Sequence, residues 1–214
     1  MIIPAILEND HEAIHPKLDL LVELKTPIAQ IDFCDGDFVP HTTVDIIHLP
    51  NLPQEIEWEA HLMISNPANF ELYRDKGFSK IIVHYEAFDS EAQMDQAVHA
   101  IKNLGMTPAL AINPETAVSV LSYDTDTLKH FTILSVTPGK QGGEFIKETL
   151  YRIKELRELA PEAEIEVDGG INLDNIQKVI DSGANNFAVG SGIFAQLDPA
   201  QAYLELTKIK NQNA

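Results

Sequence analysis

The stretch AQIDFCDGDFVPH, residues 29 to 41, reads as a buried strand running into a turn, yet it carries Asp32, Asp35 and Asp37. Side chains two apart on a strand share a face. Gln30, Asp32 and Cys34 therefore project to one side, and Ile31 and Phe33 to the other. A strand with one apolar face and a carboxylate near its C-terminal end is what a parallel barrel offers at the mouth where its chemistry occurs. Asp35 and Asp37 lie past the strand and are read as turn residues.

Working outward, the chain alternates short apolar runs with helical patterns. The runs are IIPAIL (2 to 7), AQIDF (29 to 33), WEAHLMI (58 to 64), KIIVHY (80 to 85), PALAI (108 to 112), FTILSV (131 to 136), EIEVDG (164 to 169) and NFAVGS (186 to 191). Helical spacing joins Met94, Ala97, Val98, Ile101 and Leu104 before Gly105, and Ile146, Leu150, Ile153, Leu156 and Ala160 before Pro161. A further helix is expected to open at Asn172, to carry Ile176, Val179 and Ile180, and to close at Gly183. Strand then helix, repeated eight times, is the order of an α/β fold of the (β/α)8 TIM-barrel type. An open doubly wound sheet is the alternative, and the absence of GxGxxG after the first strand counts against its dinucleotide-binding form.

Composition sets the outer bounds. The 214 residues, 44% hydrophobic and 22% charged, are enough for one full core, and no low-complexity or linker stretch divides them, so residues 1–214 are expected to form a single barrel domain. A net charge of -18 argues against nucleic-acid or anionic-membrane partners. MIIPAILEND lacks a basic n-region, no apolar run is long enough to span a bilayer, and Cys34 is the one cysteine, so a cytoplasmic protein is expected.

The same face argument pairs His61 with Met63 on the third strand and Glu166 with Asp168 on the seventh. Taken singly, Asp32 capping a turn, His61 as an interior histidine and Asp168 opening a helix are adequate readings. Together, at the ends of strands 2, 3 and 7, two carboxylates and an imidazole are expected to converge on one site. VDGGIN (167 to 172) and AVGSGIF (188 to 194) then end strands 7 and 8 in small residues, where such barrels commonly hold a phosphate. SVTPGKQGGEF (135 to 145), after strand 6, has the length and glycine content of a lid.

With these residues in view, the chain resembles the ribulose-phosphate 3-epimerase family over nearly its whole length. The matching motifs are IIPAIL, IDFCDGDFVPHTT, HLMISNP, IIVHYEA, INPET, SVTPGKQGGEFI, IEVDGGIN and VGSGIF, in the family's order. The resemblance implies a barrel of the ribulose-phosphate-binding type that epimerises C3 of a keto-pentose phosphate through an enediolate. It implies Asp32 and Asp168 as the acid/base pair, and Asp32, His61 and Asp168 as ligands of a divalent cation: zinc, iron, manganese or cobalt. Gly169, Gly170, Gly190 and Ser191 match the phosphate grip, Gly139 and Gly142 the flexible loop, and Met63 a methionine lining the mouth. A phosphorylated ketose and further copies of the same chain are the implied partners.

The chain departs from the family at the sugar end. Gln30 stands where the family has a fourth metal-ligating histidine, Ala5 where it has a substrate-contacting serine, and Cys34 and Leu134 where it has two more methionines. A carboxamide is a poorer transition-metal ligand than imidazole, so the metal is expected to bind more weakly or not at all. Beside the epimerase, two readings therefore stand: a non-catalytic sugar-phosphate binder, and an epimerase of shifted substrate.

Overall fold

The computed structural model describes residues 1–123, 128–138 and 142–212. Eight strands, β1 (Ile2–Ile6), β2 (Ile28–Cys34), β3 (Glu57–Met63), β4 (Phe78–His84), β5 (Thr107–Ile112), β6 (His130–Leu134), β7 (Glu164–Asp168) and β8 (Asn186–Val189), hydrogen-bond in sequence order as a closed barrel. The α-helices are α1 (His11–Glu23), α2 (Phe70–Lys76), α3 (Glu91–Asn103), α4 (Thr149–Leu159), α5 (Ile176–Asp181), α6 (Ser191–Phe194) and α7 (Pro199–Asn211). Backbone packing groups Met1–Pro4 with Leu110–Ala214 as one compact unit and Ala5–Ala109 as another. These divisions fall inside β1 and β5, not in linkers.

In the Ala5–Ala109 unit, β2 and β3 pair in parallel with Gln30 opposite Glu59, Asp32 opposite His61 and Cys34 opposite Met63. Residues opposite one another in a ladder face the same side, so register alone sets Asp32 beside His61. The other face is apolar: Phe33 meets the rings of Tyr73 and Phe78 edge-on, at 5.2 and 5.8 Å between centroids. Helix α1 opens on Asp10, whose side chain accepts from the Glu12 N–H, and α3 opens on Ser90, whose side chain accepts from the Gln93 N–H. The buried stripe of α3 is Met94, Ala97, Val98 and Ile101, four of the five residues expected, and Leu104 is its C-cap.

In the other unit β6, β7 and β8 pair in parallel, with Leu134 opposite Asp168 and Asp168 opposite Ala188. Helix α4 buries Thr149, Ile153 and Leu156, while Ile146 lies before it. Helix α7 opens on Asp198, whose side chain accepts from the Gln201 N–H. No helix among the described residues is long and apolar enough to cross a membrane.

Two local expectations are corrected. Between β2 and β3 the chain makes only the 3-10 turn Ile46–His48, and between β5 and β6 the described residues make the 3-10 run Val118–Tyr123, so the alternation is not strand and α-helix throughout. Pro40, Pro50 and Pro53 lie in the first of these connections, where each removes a donor that an α-helix would use. Helix α5 starts at Ile176 rather than at Asn172, because the Asn172 side chain accepts from the Asp174 N–H and its backbone N–H donates to Asn175 Oδ1. Asn residues that bond their own backbone in this way make turns.

Candidate active site

The β2 and β3 ends carry a buried polar line. Gln30 Nε2 donates to Asp32 Oδ1 at 2.8 Å and lies 3.4 Å from His61 Nδ1. His61 Nδ1 stands 3.2 Å from Asp32 Oδ1, and on the far side of the ring His61 Nε2 lies 2.9 Å from Nε2 of His84, at the end of β4. The two imidazole planes are 16° apart with centroids 5.1 Å apart. His84 Nδ1 is then 3.4 Å from Glu86 Oε2, and the Phe38 ring packs against His84 at 4.8 Å. Gln30, Asp32, His61 and His84 are all buried.

Cys34 and Met63, the next pair along the ladder, form an apolar cluster with Val39, flanked by Leu7 and Phe38. Burial, and then the charges of Asp32 and Asp35, push the Cys34 thiol up to about 12, so it packs as a neutral hydrophobe. Asp35 is the turn residue expected: its Oδ1 accepts from the Asp37 and Phe38 N–H groups and its Oδ2 from that of Ser65. Desolvation works to raise its carboxyl, and the N–H groups of Phe38, Ser65, Asp37 and Asp35 itself outweigh it, holding the group below 3.8. The side chain of Asp37 is exposed and outside the cluster.

In the other unit Asp168 ends β7, followed by Gly169 and Gly170 at φ of 108° and 65°. Ser135, just after β6, fixes this corner: its N–H donates to the Asp168 carbonyl at 2.8 Å, and its hydroxyl donates to the carbonyls of Asp168 and Gly169. A Cβ on Gly170 would stand 2.9 Å from the Phe145 backbone N, and one on Gly192 would stand 2.2 Å from the Ile171 carbonyl O. Glycine at both positions lets the segments after β6, β7 and β8 pack backbone to backbone. Gly190 is the N-cap of α6 and Ser191 its first residue, both half-buried, and Gly142 has φ of 71°. Gly139 lies outside the described residues.

Asp32, His61 and Asp168 each offer one ligand atom, all within 4.8 Å of one another. Two ligands of one ion, bound at about 2 Å each, stand roughly 3 to 4 Å apart, and the His61 Nδ1 to Asp32 Oδ1 distance of 3.2 Å lies in that range. Two carboxylates and an imidazole suit zinc, iron or manganese, so the residues present fit a divalent cation. Ser135 and His84, which hold these residues in place, stand out less in the sequence, because their partners come from other strands.

A closed barrel with such a set at its strand ends defines a (β/α)8-barrel enzyme. The chain belongs to the ribulose-phosphate 3-epimerase family: the sequence model described as "Ribulose-phosphate 3 epimerase family" matches residues 1–194. Among curated relatives, the ribulose-phosphate 3-epimerase of Bacillus subtilis is 30% identical over 211 residues, covering 95% of this chain and 96% of that protein. The one from Aquifex aeolicus is 31% identical over 205 residues, with coverage of 92% and 91%. Among solved structures, the 3-hexulose-6-phosphate synthase of Salmonella typhimurium superposes with a TM-score of 0.75 at 16% identity, covering 100% of this chain and 99% of that one, a likeness of fold alone.

Proposed function

We propose that this protein epimerises C3 of a keto-pentose phosphate, with Asp32 and Asp168 as the two proton-transfer groups. The observation that carries the reading is the grouping of Asp32, His61 and Asp168 in a chain of this family. Epimerisation removes a proton from one face of a carbon and returns one to the other, so it needs two acid/base groups. The Asp32 carboxylate is held by the amide of Gln30, and Ser135 fixes the main chain at Asp168 through its carbonyl. A divalent cation bound by Asp32, His61 and Asp168 would supply positive charge for the enediolate oxygens. Gly169, Gly170, Gly190 and Ser191 would hold the phosphate through backbone N–H groups, with Gly142 in a loop that would close over it. Met63, within the Cys34 cluster, would form an apolar wall of the mouth. Self-association of the chain belongs to the same reading.

A second reading, a sugar-phosphate binder without turnover, is favoured by the Gln30 amide, which turns its nitrogen toward Asp32. Exchange of the C3 proton of ribulose 5-phosphate with solvent deuterium separates the two. An epimerase exchanges it, and Asp32→Asn and Asp168→Asn each abolish exchange. A folded, metal-loaded protein that binds the sugar phosphate without exchange is the binder, and exchange of a different ketose phosphate identifies a shifted substrate.

A further inference from the structure

His84 and Glu86 belong to no ligand set, yet they complete a line that runs from Asp32 through both nitrogens of His61. We propose that His84 and Glu86 are positioning residues that fix the tautomer of His61, so that its Nδ1 meets the cation as an unprotonated ligand. This rests on the reading of Asp32, His61 and Asp168 as a divalent-cation site.

The argument follows donors and acceptors along the line. Glu86 lies in the 3-10 turn Tyr85–Ala87 after β4, and a carboxylate oxygen accepts rather than donates. Its Oε2 stands 3.4 Å from His84 Nδ1, an ion-pair distance rather than a hydrogen bond, and its negative potential favours a proton on that nitrogen. A neutral His84 then has an acceptor at Nε2, and the 2.9 Å contact requires His61 Nε2 to donate. His61 Nδ1 is left with its lone pair, 3.2 Å from an oxygen of Asp32, which is also an acceptor. Two acceptors at that distance suit two ligands of one cation. The reverse direction, with neutral rings, would set the His84 Nδ1 lone pair against the Glu86 carboxylate. His84 and His61 are 0% and 1% exposed, and Phe38 covers His84, so bulk water has little access to satisfy the reversed arrangement. A ligating histidine held through its second nitrogen is a general device of metal sites, and losing the holding group typically weakens metal binding by about 10 to 100-fold.

The test uses the full chain and zinc alone, with affinity read by chelator competition and folding by thermal unfolding of the metal-free protein. His84→Phe keeps a ring in the slot and removes the acceptor, and should weaken zinc binding by about 10 to 100-fold. His84→Gln, whose carbonyl oxygen accepts from His61 Nε2–H, should recover most of that loss, which a purely space-filling role would not. Nitrogen-15 spectra of the zinc-loaded wild type should show His61 protonated at Nε2 and His84 at Nδ1. If His84→Phe does not fold, Glu86→Leu carries the test, with an expected loss of about 10-fold. Zinc affinity within threefold of wild type in folded His84→Phe, or a proton on His84 Nε2 in the loaded wild type, overturns the proposal while the metal site stands. A wild type that takes up no divalent ion at all overturns the metal site, and the proposal with it.

Discussion

Gln30 Nε2 lies 2.8 Å from Asp32 Oδ1, two residues along the same face of β2. The carboxamide thus binds the carboxylate as a donor at the position where the family resemblance places a metal-ligating imidazole. That bond holds the Asp32 carboxylate, and the proposed site then has three protein ligands, Asp32, His61 and Asp168, a number that suffices in many catalytic zinc sites.

Replacing Gln30 by histidine should restore a fourth ligand and raise zinc affinity by about 10-fold or more. In an epimerase the exchange rate of the C3 proton should rise with it; in a binder, affinity rises and exchange stays absent. Gln30 is wholly buried, so thermal unfolding of the variant should be followed alongside, because a close-packed site admits a ring only by local adjustment.

The glycines after β7 and β8 should be separable by function. Gly192→Ala sets a Cβ against the Ile171 carbonyl and should destabilise the fold by about 1 to 3 kcal/mol. Gly190→Asp puts a carboxylate at the N-cap of α6 and should abolish sugar-phosphate binding, read by calorimetry, with the fold retained. Unchanged affinity in Gly190→Asp would remove the phosphate from this corner.

Glu59 and Lys80 form a buried ion pair at 2.8 Å, with 2% and 7% of each residue exposed. Lys80→Met should cost about 3 to 5 kcal/mol in urea unfolding, because it leaves the Glu59 charge buried without its cation. The double variant Glu59→Leu with Lys80→Met should regain most of that loss, since an apolar pair carries no desolvation penalty.

Asp35 makes stability sensitive to acid. Its carboxyl is held below its ordinary 3.8, so the ionised form favours the folded state. That contribution is present above 3.8 and is lost as pH falls through the lower folded value. Asp35→Asn should lower stability near neutral pH by about 1 kcal/mol, the worth of a hydrogen bond, and should flatten the loss on acidification, both visible in thermal unfolding as a function of pH.

The barrel order was legible in the sequence because eight apolar runs of strand length stand apart from patterns of helical spacing, and the period of a strand is short enough to read face by face. That period also placed Asp32 and His61 on mouth-facing sides, and the family motifs are the source of the roles proposed for them. Tertiary structure decided what periodicity cannot carry. Asp32 stands beside His61 because β2 and β3 pair at that register, and a one-residue slip would turn one of them away. That His84 closes on the far nitrogen of His61 and that Ser135 holds the carbonyl of Asp168 are settled by hydrogen bonds between segments distant in the chain. Such bonds join residues as far as 33 positions apart in the chain, and local pattern reports only on neighbours.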